Sequence, residues 1–123
     1  MNEIQIQSII HTAESLDWCV SCSRQRYAGQ EEYCTLELER YSPAGEDFIF
    51  TAGGTTPNEI IGDIIDYARN FDTEDHITEM LIAKRNGLAG VPDVQTLVED
   101  ADEIAFMLCE LSGALRPILK EVQ

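Results

Sequence analysis

The apolar residues of this chain change period twice, and that change restricts the fold more than any other feature. Over residues 3–16, Ile6, Ile9, Ile10, Ala13 and Leu16 fall on one stripe at helical spacing. From Tyr33 to Tyr41 the pattern becomes alternation. Cys34, Leu36 and Leu38 face one way and Thr35, Glu37 and Glu39 the other, as in a half-buried strand. After residue 56 the helical spacing returns and holds to the end. Such a chain needs a sheet with one wet face and helices to cover the other.

The rest of the sheet reads from shorter signals. Trp18-Cys19-Val20-Ser21-Cys22 is compact and β-prone, and Phe48 and Phe50 repeat the alternation. Tyr27-Ala28-Gly29-Gln30 and Ser42-Pro43-Ala44-Gly45 read as the turns between strands, because Pro fixes φ and Gly permits a positive one. Gly53-Gly54 ends the sheet.

Thr56-Pro57-Asn58-Glu59 is a helix start: a hydroxyl cap, Pro at the first helical position and Glu three residues after the cap. Ile60, Ile61, Ile64, Ile65 and Ala68 form its apolar face. Asp72 caps the next helix, with acids in the first turn where the dipole favours them. That helix runs through Met80 and Leu81 to Gly87 as its C′ residue, and Gly90-Val91-Pro92 reads as a hinge-like loop.

In the last element Val94, Val98, Ala101, Ala105, Leu108, Ser112, Leu115, Leu119 and Val122 follow spacings of four and three, flanked by Leu97, Ile104, Leu111 and Ile118. Pro117 predicts a kink or an end near Gly113. The expected fold is α+β in the order α-β-β-β-α-α-α. A three-stranded antiparallel meander is covered by helices, the last of them long. One domain spans 1–123, with an N-terminal helix at 1–17, the sheet at 18–54 and a helical part at 55–123.

Charge narrows the function. Twenty-three Asp and Glu face eight Lys and Arg, a formal net of −15. Such a surface repels nucleic acid and anionic membrane and attracts basic partners. No apolar run approaches the ~18–20 residues of a membrane span. Met1-Asn2-Glu3-Ile4-Gln5-Ile6-Gln7 lacks the regions of a signal peptide, so the chain reads as cytoplasmic, with Cys19, Cys22, Cys34 and Cys109 as thiols.

Catalytic and metal signals are sparse. Cys19-Val20-Ser21-Cys22 has the form of a redox motif. However, it follows a helix rather than opening one, and its cysteines point to opposite faces of a strand. Cys19, Cys22 and Cys34 with His11, His76 or Cys109 would make a zinc set, yet the second half of the usual spacing is missing. Asp72, His76 and Glu79 share a helix face that suits a metal or a general base; the simpler account is a capped, dipole-matched first turn with an exposed His, and the matching ExxH of a dinuclear site is missing. Gly53-Gly54-Thr55-Thr56 lacks the Lys of a phosphate loop. These readings point to no enzyme and no cofactor.

The acids themselves make the best constellation. Glu59, Asp63 and Asp66 share one helix face, Glu99, Asp100, Asp102, Glu103 and Glu110 lie off the last apolar stripe, and Glu37 and Glu39 line the wet side of a strand. Carboxylates on a helix can be spaced like phosphates, so a protein built to neutralise phosphates would meet a rigid array of them. Asp63, Asp66, Glu99, Asp100, Asp102 and Glu103 are the expected partner-binding surface.

Tyr41-Ser42-Pro43-Ala44-Gly45-Glu46-Asp47-Phe48, Phe71-Asp72-Thr73-Glu74-Asp75-His76, and Ala83-Lys84-Arg85-Asn86-Gly87 with Gly90-Val91-Pro92-Asp93 and Leu97-Val98-Glu99-Asp100-Ala101 carry a resemblance. Over about residues 33–112 the chain is similar to a group of small acidic hypothetical proteins of bacterial prophages and integrative elements. The resemblance implies a genomic context, not an activity or a set of site residues. Accessory genes of mobile elements often encode counter-defence proteins, and some anti-CRISPR and anti-restriction proteins are small acidic nucleic-acid mimics.

The expected function is therefore a non-enzymatic inhibitor. It would bind a basic nucleic-acid-binding protein such as a CRISPR effector or another defence nuclease, without touching nucleic acid or membrane itself. The alternatives are a protein–protein module or homodimer built on the 94–122 stripe, and a metal-binding protein.

Overall fold

The computed structural model describes residues 3–42, 47–87 and 94–122. Its elements are α1 (Glu3–Ser15), β1 (Cys19–Gln25), β2 (Tyr33–Tyr41), β3 (Asp47–Gly54), α2 (Pro57–Asn70), α3 (Thr73–Gly87) and α4 (Val94–Val122). The order is the expected α-β-β-β-α-α-α, and the sheet is an antiparallel meander, β1-β2-β3. The predicted turn at 43–45 and the hinge-like loop at 90–92 lie outside the described residues.

α1 buries Ile6, Ile9 and Ala13 and stops on a Schellman arrangement. Asp17 takes a left-handed backbone, with φ 71°, and its N–H reaches the Glu14 carbonyl at 3.1 Å. The Trp18 N–H reaches back to the Ala13 carbonyl at 3.1 Å. That pair of bonds satisfies carbonyls the helix end would leave open. It also drops the Trp18 indole into the core, 5.6 Å from Phe50 and 6.3 Å from Phe48 in edge-on contact.

Register fixes the two faces of the sheet. Val20 opposes Leu38 and Cys22 opposes Leu36 across β1 and β2, while Leu36 opposes Ala52 and Leu38 opposes Phe50 across β2 and β3. Cys34, Leu36, Leu38, Phe48, Phe50 and Ala52 are buried on this side. The other side presents Glu37, Glu39 and Ile49 to water. β1 runs to Gln25, beyond the β-prone run that ends at Cys22, because its backbone bonds follow β2 to Tyr33. The connection turns at Gly29, where φ is 78° and the Gln30 N–H meets the Tyr27 carbonyl.

Helix α2 begins as its sequence dictates. Thr56 is the N-cap, its hydroxyl accepting the Glu59 N–H at 3.2 Å, with Pro57 next. The return half of the capping box reaches one residue further back. The Glu59 carboxylate accepts from the N–H of Thr55 at 2.7 Å and from its hydroxyl at 2.9 Å. Those bonds favour the charged form and hold Glu59 below the usual carboxylate range. Asp72 caps α3, accepting from the N–H of Glu74 and Asp75.

In α4 the buried line is Leu97, Ala101, Ile104, Leu108, Leu111, Leu115 and Ile118. The sequence pattern had placed Leu97, Ile104, Leu111 and Ile118 at the flank. The structure buries them together with Ala101, Leu108 and Leu115 of the expected stripe, while Val98, Ala105 and Leu119 sit at the margin. α1, α2 and α3 all pack on α4, while α1 and α2 also lie against the sheet, so the stripe joins the sheet's core. The helix does not end near Gly113. It continues through Pro117 to Val122, with Pro117 on the exposed side.

The seam between β3 and α2 is tight. A Cβ on Gly54 would stand 2.5 Å from the Glu59 Cβ, whereas one on Gly53 would meet the ring of Tyr33, a half-exposed side chain with room to swing. Gly54→Ala is expected to cost about 1–3 kcal/mol through this overpacking, and Gly53→Ala clearly less. Thr56→Ala should cost about 1 kcal/mol by removing the cap. Urea unfolding of the three variants against wild type measures all three values.

Candidate functional site

β3, α2 and α3 enclose an open cleft of about 690 Å³. Strand β3 contributes Asp47, Phe48 and Ile49 at its first turn of alternation. α2 contributes Asp63, Asp66, Tyr67 and Asn70 from its outer face. Phe71 and Asp72 come from the two-residue connection, and Asp75, His76 and Glu79 from the first turns of α3. No Lys or Arg among the described residues lines it.

Its floor is aromatic and continuous with the core. Tyr67 stacks on Phe50 at 4.4 Å with the planes 12° apart. Phe48 meets Phe71 edge-on at 6.0 Å, and both touch the His76 ring. Burial, and then the charge of Glu79, raises the Tyr67 phenol above its ordinary value, so it stays protonated at neutral pH. His76 is not the exposed first-turn histidine the sequence allowed. Its side chain is 15% exposed, and Nε2 stands 3.9 Å from Oδ2 of Asp100, beyond hydrogen-bond reach.

The rim carboxylates divide by what already holds them. Asp63 accepts the Gly53 N–H at 3.0 Å and so pins α2 to the end of β3. Asp72 is committed to capping α3. Asp66, Asp75 and Glu79 accept no hydrogen bond and form no ion pair among the described residues, and all three are exposed. Three charges at the mouth over an aromatic floor favour a cation, above all one that also offers a flat face, as a guanidinium does.

The expected acidic surface is only partly brought together. Asp63 and Asp66 line the cleft. Glu99, Asp102 and Glu103 are exposed on α4 but do not line it, and Glu99 accepts from the side chain of Gln95. Asp100 is a correction, because it is 2% exposed and faces His76 rather than solvent. Helical arithmetic explains this: Asp100 is three residues after Leu97 and four before Ile104, on the buried line itself.

Spacing alone does not join the α2 acids to Asp72, Asp75, His76 and Glu79, nor does it place Asp47 and Phe48 beside them. The signal was the two-residue connection at Phe71–Asp72, which forces the outer faces of α2 and α3 together.

No group of three or more His, Cys, Asp or Glu among the described residues is placed to hold a metal ion. Cys19 lies across from Glu39 on the wet face, away from Cys22 and Cys34. No helix is long and apolar enough to cross a membrane among the described residues. Compared with protein-family models, curated proteins and solved structures, the chain matches none.

Acid repulsion reaches the cleft edge from the sheet. The Glu39 carboxyl is pushed above the ordinary carboxylate range, first by lost hydration and then by the charge of Asp47. A raised acid pKa means the folded state disfavours the charged form, so this site weakens the fold once pH rises through the folded pKa. Below the unfolded pKa the penalty is absent. Glu39→Gln should therefore raise Tm at pH 7, and the gain should vanish near pH 3.5. Thermal melts of both proteins across that range give the comparison.

Proposed function

We propose that this protein is a non-enzymatic acidic binding protein of the cytoplasm that occupies the basic nucleic-acid-binding surface of a protein partner. The observation behind this reading is the cleft: Asp66, Asp75 and Glu79 uncommitted at its mouth, an aromatic floor beneath, and no Lys or Arg among the described residues in its lining. A Lys- or Arg-rich segment offers the complementary charge, and Arg adds stacking on Tyr67 or Phe71. The whole-chain charge of −15 steers such a partner from a distance and speeds encounter.

Glu99, Asp102 and Glu103 extend the negative surface along α4, where the same partner would follow it. A carboxylate array set on helices engages phosphate-binding side chains without bending or melting a duplex. With the resemblance to mobile-element proteins, the partner class is a host defence nuclease such as a CRISPR effector, and the outcome is its inhibition.

The test is binding of the full chain to purified CRISPR effectors and restriction nucleases, with salt and competitor DNA varied. Asp66→Lys/Asp75→Lys/Glu79→Lys should weaken binding by about 100-fold or more. Glu99→Lys/Asp102→Lys/Glu103→Lys, on the exposed side of α4, should weaken it less and mainly through the on-rate. Asp100 is left unchanged, because a buried Lys there would damage the fold. Full binding by the folded cleft variant, or binding indifferent to salt and DNA, would overturn the proposal.

A further inference from the structure

Cys22 and Cys34 are twelve residues apart in sequence, and their sulfurs stand 3.4 Å from each other. Register explains the meeting. Cys22 opposes Leu36 and Arg24 opposes Cys34, so the two cysteines are diagonal neighbours on the core-facing side of β1 and β2. Their environments differ: Cys22 is exposed and Cys34 fully buried. The Arg24 guanidinium bonds the Cys22 sulfur and is itself anchored to Glu3 of α1 and, at 3.8 Å, to Glu32. One thiol is thus open to solvent beside a fixed cation, and the other is sheltered within its reach.

We propose that Cys22 and Cys34 form a reversible oxidation site, in which a hydroperoxide converts the two thiols to a disulfide that staples the edge strand β1 to β2. The roles follow from exposure and charge. Cys22, the exposed sulfur of the pair and the one bonded by Arg24, attacks the outer peroxide oxygen as its thiolate. The O–O bond breaks, the alkoxide or hydroxide leaves and takes a proton, and Cys22 becomes a sulfenic acid. The Cys34 sulfur then attacks the Cys22 sulfur, the S–O bond breaks, and the thiol proton leaves with the hydroxide as water. Overall two thiols and one hydroperoxide give one disulfide, one alcohol (or water) and one water.

Burial, and then contact with Cys22, pushes the Cys34 thiol up to about 12, which fits a resolving rather than an attacking role. Diagonal strand neighbours stand roughly 7–8 Å apart at Cα, against about 4.4–6.8 Å in disulfides. Closure therefore draws β1 toward β2. β1 has that freedom because it pairs on one side only and, apart from Val20, lies exposed.

The test uses the full chain carrying Cys19→Ser/Cys109→Ser, which retains only this pair; both replaced residues are exposed, so the fold is kept. Hydrogen peroxide should remove both free thiols together and lower the mass by two hydrogen atoms. Trypsin should then release the peptide ending at Arg24 linked to the peptide from Tyr27 to Arg40. Dithiothreitol should restore both thiols, and the oxidised monomer should melt at a higher temperature than the reduced one. Cys22→Ser should slow loss of the remaining Cys34 thiol at least tenfold. Cys22 advancing to sulfinic acid while Cys34 stays free, or linkage only between chains, would overturn the proposal.

Discussion

Self-repulsion is the constraint on which the rest of this structure depends. A chain with a net charge of −15 loses free energy on compaction, and only burial of apolar surface can outweigh that loss. The fold meets the requirement by gathering most of its buried aliphatic side chains into one cluster. The sheet supplies Leu36, Leu38 and Phe50, α1 supplies Ile6 and Ile9, α2 its four isoleucines, and α4 the line from Ile104 to Ile118. Apart from the buried Asp100, the described carboxylates are left to the outer faces and partly used as structural acceptors. Glu59 and Asp72 hold helix starts, and Asp63 ties α2 to the end of β3. Fixed backbone donors offset part of what crowding them together costs.

Much of the fold is readable from spacing because local and global preferences agree. Tyr33–Tyr41 alternates and forms β2 over those same residues; Thr56-Pro57 starts α2; Asp72 caps α3. Where two apolar rows run side by side, as in α4, periodicity gives the helix but not its rotation. Members of both rows are buried, because α1, α2 and α3 all pack on α4 and together cover more of it than one stripe. The same ambiguity hides Asp100: its charge marks it as a surface residue, while its position marks it as interior.

The cleft was less legible because it belongs to no single element. Asp63 and Asp66 were visible as one face, and Asp72, His76 and Glu79 as another. Only packing shows that they share a rim with Asp47 and a floor of Phe48, Tyr67 and Phe71. Sequence carries the chemistry of each wall, and the two-residue link between α2 and α3 carries their adjacency. The third wall, β3, arrives through a long-range contact that no local pattern encodes.

The ring contacts at the floor have an optical consequence. The chain has one tryptophan, Trp18, buried where α1 ends. Its indole touches Phe50, and Phe50 stacks on Tyr67 at the cleft. Two direct contacts thus join the sole indole fluorophore to the lining of the cleft. Any occupant that tilts Tyr67 must disturb the packing around that indole, so the protein carries an intrinsic emission signal for events at a surface it does not itself reach.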